Sequence, residues 1–115
     1  MAGGPLWTLL HIHGRHIYFD RKATLPAAAI NWHDRLTAPA LGDGLRRFKG
    51  AVAGGLDENA TLRSGSPAEV AAEVADAVAQ TGGRGVLITP GCVLPLDVPD
   101  LSLEAASRAA KDARA

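Results

Sequence analysis

The chain has 115 residues, enough for one small domain with a core and short for a large enzyme. Its 12 basic and 12 acidic residues cancel, and no basic block or aromatic-interleaved patch stands out, which argues against nucleic acid and anionic membrane as partners. The single cysteine excludes an intrachain disulfide and suits a reducing, cytoplasmic compartment, where a thiol is free for catalysis or metal binding.

The first apolar stretch lacks a preceding basic region, and histidines interrupt it before any small-residue cleavage site, so neither a signal peptide nor a membrane span is expected. Trp7 to His13 reads as a strand. Alternation then puts Trp7, Leu9, His11 and His13 on one face and Thr8, Leu10 and Ile12 on the other. Two imidazoles at i and i+2 point the same way and can hold one metal ion if a third ligand arrives from elsewhere. The plain alternative is two polar residues at a strand end, since His-x-His with a distant cysteine is a weak pattern by itself.

After Gly14, the mixed segment Arg15 to Lys22 suits a loop running into a short helix before Pro26. Ala27 to Trp32 is short and apolar and empties into His33-Asp34-Arg35, as a buried strand does, although periodicity alone does not separate it from a helix. Pro39 opens a candidate helix with Leu41, Leu45 and Phe48 on one stripe and Gly50 as its stop, weakened by Gly42 and Gly44. Ala51 to Leu56 is a further apolar run, followed by polar Asp57-Glu58-Asn59, which reads as a solvated loop.

The strongest helix signal is Ser66-Pro67-Ala68-Glu69, a capping box with proline at the first helical position. Val70, Val74 and Val78 form its core stripe, and Gly82-Gly83 ends it. Gly85 to Thr89 makes another strand. Pro90-Gly91 then leads to Cys92, which is otherwise a small buried hydrophobe. Prolines 90, 95 and 99 keep the next segment irregular, and Ser102 is placed to cap a final alanine-rich helix reaching the C-terminus. His16, His33 and Asp34 read as surface polar residues or at most as neighbours that orient ligands, and Trp7 and Trp32 as packing.

Strand and helix thus alternate four times, and the strands are nearly all apolar, as in a parallel sheet covered on both faces. Ligand sites of such folds lie at the C-terminal strand ends. His11, His13, Asn31, Asp57 and Cys92 all fall there.

Gly54-Gly55-Leu56-Asp57, Gly65-Ser66-Pro67-Ala68-Glu69-Val70 and Thr89-Pro90-Gly91-Cys92-Val93-Leu94-Pro95, followed by Val98-Pro99, resemble the C-terminal half of the uroporphyrinogen decarboxylase superfamily. Leu10-His11-Ile12-His13-Gly14 resembles the strand that begins that half. The resemblance covers nearly the whole chain. It implies an α/β fold in which residues 1–115 supply four βα units of a (β/α)8 TIM barrel whose N-terminal half is absent, since such barrels need about 250 residues.

Within that superfamily, decarboxylases carry a Gly-His-Gly turn after the last strand, where this chain has Pro90-Gly91-Cys92. The corrinoid-dependent methyltransferases, which pass a methyl group from a methylated corrinoid to a thiol such as coenzyme M, carry a His-x-Cys zinc motif and a later cysteine. By position, His11, His13 and Cys92 resemble those ligands, with His13 where the family more often has cysteine. Imidazole also binds zinc, with less negative charge on the metal. Three protein ligands leave a position at which a thiol would be deprotonated. The resemblance therefore implies a Zn2+ site, a corrinoid methyl donor with its carrier protein, and a small thiol substrate, which Asp57 and Glu58 could contact at the barrel mouth. It also implies a partner for the missing barrel half, either a separate chain or a second copy, and little activity of the chain alone. The alternatives are a decarboxylase-like lyase acting on a porphyrin precursor without metal, whose pyrrole-holding aspartate would lie in the missing half, and a non-catalytic truncated half-barrel.

Overall fold

A computed structural model describes residues 7–113. The strands are β1 (Leu9–His11), β2 (Ala29–Asn31), β3 (Ala51–Leu56) and β4 (Val86–Pro90). The helices between and after them are α1 (Phe19–Lys22), α2 (Leu41–Arg47), α3 (Thr61–Ser64), α4 (Pro67–Thr81) and α5 (Asp100–Asp112). The strands form one parallel sheet in the order β1-β2-β3-β4, each hydrogen-bonded to its predecessor in the chain.

The register runs Leu9–Ala29–Ala51 and His11–Asn31–Ala53–Leu87 across one face, and Leu10–Ile30–Val52–Val86 across the other. The second face carries the core. Ile12, Ile30, Trp32, Val52 and Ile88 pack with Phe19, Leu41 and Ala77, while Leu56 joins Leu62, Val70, Val74 and Ala106 below α4 and α5. The opposite face is built differently. Its central positions are small, and Leu9 and Leu87 at its flanks are 48% and 44% exposed. The sheet is therefore covered by helices on one side, not on both as the unbroken apolar runs suggest. A run of alanines reads as buried sequence although it supplies only a thin surface, because a methyl side chain is shielded by its neighbours without a covering layer.

The capping box forms as expected, with Ser66 Oγ accepting from the Glu69 N–H at 3.2 Å and Glu69 Oε1 accepting from the Ser66 N–H at 3.0 Å. Gly82 takes φ 70° and closes the helix. In α2 the two glycines permit close packing. A Cβ on Gly44 would overlap the Trp32 ring, and one on Gly42 would lie 2.6 Å from the Gln80 carbonyl oxygen of α4. The last helix starts earlier than Ser102 implies, because Pro99 is its cap and accepts from the Ser102 N–H at 3.0 Å. Ser102 is consequently buried inside the first turn. Arg114 and Ala115, which the expected helix would include, lie outside the described residues.

Candidate metal centre

β1 delivers His11 to the open face, and the chain then turns at Gly14, placing His13 just beyond the strand. Cys92 follows β4 by two residues, after the Pro90-Gly91 turn. Although β1 and β4 are the two outer strands, the sheet curves enough for the turn to reach back. One nitrogen of each histidine and Cys92 Sγ all lie within 4.8 Å of one another, and His13 Nδ1 stands 3.8 Å from the sulfur. Zinc bonds of 2.0–2.3 Å in a tetrahedral arrangement set ligand atoms about 3.3–3.6 Å apart. The His13–Cys92 pair is already near that spacing. The histidines are exposed and Cys92 partly buried, so the set opens to solvent on one side.

The donor chemistry also fits. Imidazole nitrogen and thiolate sulfur are both zinc ligands, and the contact that His11 makes with Asn31 occupies only one of its ring nitrogens. His11 Nδ1 lies 2.6 Å from Asn31 Oδ1, which leaves Nε2 to face an ion. Asn31 is 6% exposed and its amide nitrogen donates to Ala53 O, Thr89 Oγ1 and Pro90 O.

His33 and Glu58 support the Cys92 turn, and neither sits on the surface as the polar runs around them imply. Glu58 is 2% exposed. Its Oε1 accepts from the Gly91 N–H at 3.0 Å, and its Oε2 lies 3.1 Å from His33 Nε2, too far off axis for a good hydrogen bond. The His33 ring stands edge-on to His13 with centroids 5.4 Å apart. Gly91 must be glycine for this contact, since a Cβ there would fall 2.6 Å from the His33 ring. Nothing local marks Glu58 for burial, because its partners are 25 or more positions away along the chain; only its place at the end of β3 hints at it.

Asp34 is buried too. Its Oδ1 accepts from the Gly55 N–H at 2.9 Å, while Oδ2 has no hydrogen-bond partner. Burial raises its carboxyl above the ordinary range, opposed by the Gly55 hydrogen bond and by Arg35. Arg35 in turn donates to Gly55 O, Glu73 O and Asp76, tying the end of β2 to α4. Asp57 is occupied locally: its Oδ1 accepts from the Asn59 and Ala60 N–H groups and shapes the entry to α3. His16 is exposed and is not one of the three clustered donors. A cleft of about 650 Å³ opens beside the ligands, lined by His13, Arg15, His33, Leu36 and Thr37.

No known family profile matches the chain, and no curated protein matches it. The fold does have a solved counterpart. A methyltransferase from Methanosarcina mazei superposes with a TM-score of 0.79 at 21% identity, over 93% of this chain and 31% of that one. The chain thus spans about a third of that structure's length. At this identity the likeness establishes the fold, a four-stranded parallel α/β sheet shared with part of a methyltransferase. Among the described residues, no helix is long and apolar enough to cross a membrane.

Proposed function

We propose that the chain is the C-terminal half of a barrel of the uroporphyrinogen decarboxylase superfamily and contributes a zinc site for methyl transfer from a methylated corrinoid to a thiol. The observation that carries this reading is the convergence of His11, His13 and Cys92 from the first and last strands. The likeness to a third of a methyltransferase supports it, as does the consecutive strand order, which is that of a barrel segment.

In this reading His11 and His13 donate neutral nitrogens and Cys92 a thiolate. Zinc, when bound, supplies the positive charge that keeps a substrate thiol deprotonated at neutral pH. Glu58 fixes the turn that carries Cys92 by holding the Gly91 N–H. The cleft beside His13 and His33 admits the small thiol. The remaining barrel strands, from another chain or a second copy, would cover the open face and complete the site. A decarboxylase would have no use for this donor set, which is why the lyase alternative ranks second.

Metal analysis of the purified full chain tests the proposal. About one zinc per chain is expected, with clear loss in Cys92→Ser. Equal zinc in parent and variant would remove Cys92 from the site.

A further inference from the structure

Asn31 connects the two elements that bring in the ligands. Its Oδ1 lies 2.6 Å from His11 Nδ1 on β1, and its Nδ2 lies 2.9 Å from Ala53 O, 3.2 Å from Thr89 Oγ1 and 3.1 Å from Pro90 O. Two of those three partners are backbone carbonyls, which only accept. The amide nitrogen must therefore face them, because the reverse orientation would set its oxygen against two other oxygens. It follows that Oδ1 faces His11, and an amide oxygen also only accepts. His11 Nδ1 must then carry the hydrogen.

A free neutral imidazole in water prefers its proton on Nε2, the opposite arrangement. We propose that Asn31 is the positioning residue of the metal centre. It holds His11 as the Nδ1–H tautomer, so that Nε2 is the nitrogen with a lone pair to offer, and it fixes the ring's rotation. Through Pro90 O it also holds the end of β4, two residues before Cys92. One buried amide thus sets both the ligating atom of His11 and the base of the turn that carries the thiolate. The inference rests on the zinc reading for its purpose. The tautomer itself is a property of the metal-free chain.

Long-range 1H–15N correlation NMR on the metal-free full chain, at a pH where imidazoles are neutral, reads the tautomer directly. The expected result is a protonated Nδ1 and an unprotonated Nε2 at His11 in the parent. In Asn31→Ala, the ring should move to the Nε2–H form and zinc affinity should fall about 10- to 100-fold with helix content unchanged. An Nε2–H ring in the parent overturns the assignment without need of any variant. Parental tautomer and parental zinc affinity in Asn31→Ala would overturn it equally. A parent that binds no zinc defeats the reading of the preceding section instead, and the tautomer measurement still decides whether Asn31 controls His11.

Discussion

Asp34 shows how one buried carboxylate reports on the strand ends. Burial favours its neutral form, so its carboxyl in the folded chain titrates above the ordinary range, while in the unfolded chain it titrates near 3.8. The folded state therefore holds the proton to higher pH than the unfolded one. The associated stability is fully present below the unfolded value and is lost as pH rises through the folded value. Asp34→Asn keeps the oxygen that accepts from the Gly55 N–H and removes the charge. The variant is expected to melt higher than the parent at pH 7 and to lose that advantage near pH 3. A lower melting temperature at pH 7 would show that the 4.0 Å Arg35–Asp34 contact outweighs the cost of burial. None of this is visible in His33-Asp34-Arg35 read as a run of polar residues. Burial of Asp34 and Glu58 is decided by Gly55 and Gly91, contacts that only the assembled sheet creates.

Among the elements, those defined by local chemistry are the ones readable in advance. The capping box at Ser66 and Glu69 needs no distant partner, and β3 spans the apolar run 51–56 because the flanking Gly50 and Asp57 stop it on either side. Glu69 also titrates below its usual range because it accepts from the Ser66 N–H, a contribution present at neutral pH and lost as pH falls through the folded value. Ser66→Ala removes one half of the box and leaves an amide donor at the helix start without its side-chain acceptor. A loss of about 1 kcal/mol is expected, measured by urea unfolding. No change would mean that solvent replaces the hydroxyl in full. By contrast, α3 has four residues and is seeded by Asp57 capping its own loop, so no periodicity could announce it. Helix α5 begins ahead of the hydroxyl that suggests its start, since Pro99 supplies the extended backbone of a cap without supplying a side-chain signal. The placement of His11, His13 and Cys92 at strand ends was legible for a simpler reason. Each lies at or just past the end of a strand that its own hydrophobic run defines, whereas Asn31's role depends on three acceptors from two other strands.

At the scale of the molecule, and among the described residues, the sheet has two outer strands each paired on one side only, and one helix-covered face. Its radius of gyration is 14.2 Å, against about 13 Å for a compact domain of this length. Leu9, Leu87 and the 54% exposed Trp7 lie along the uncovered side. Outer strands with free backbone groups and exposed leucines favour association. Sedimentation at several concentrations is expected to show mass above the monomer that grows with concentration. A monomer at every concentration, with a cooperative thermal transition, would show that the uncovered face is tolerated in water and would remove the case for a completing half.

His13 and Cys92 are 79 positions apart, and they belong to the ends of the strands that begin and finish the sheet. An ion shared between them would close residues 13–92 into a ring that contains β2, β3 and β4. The entropy of closing such a ring grows only logarithmically with its length, so the span itself adds little to the cost. What it changes is cooperativity. Bonds to this trio exist only while β1, β2, β3 and β4 keep their places, so displacement of any one strand would release the ion. Occupancy would then report on the integrity of the whole sheet, and the supply of metal would set how much of the chain is folded.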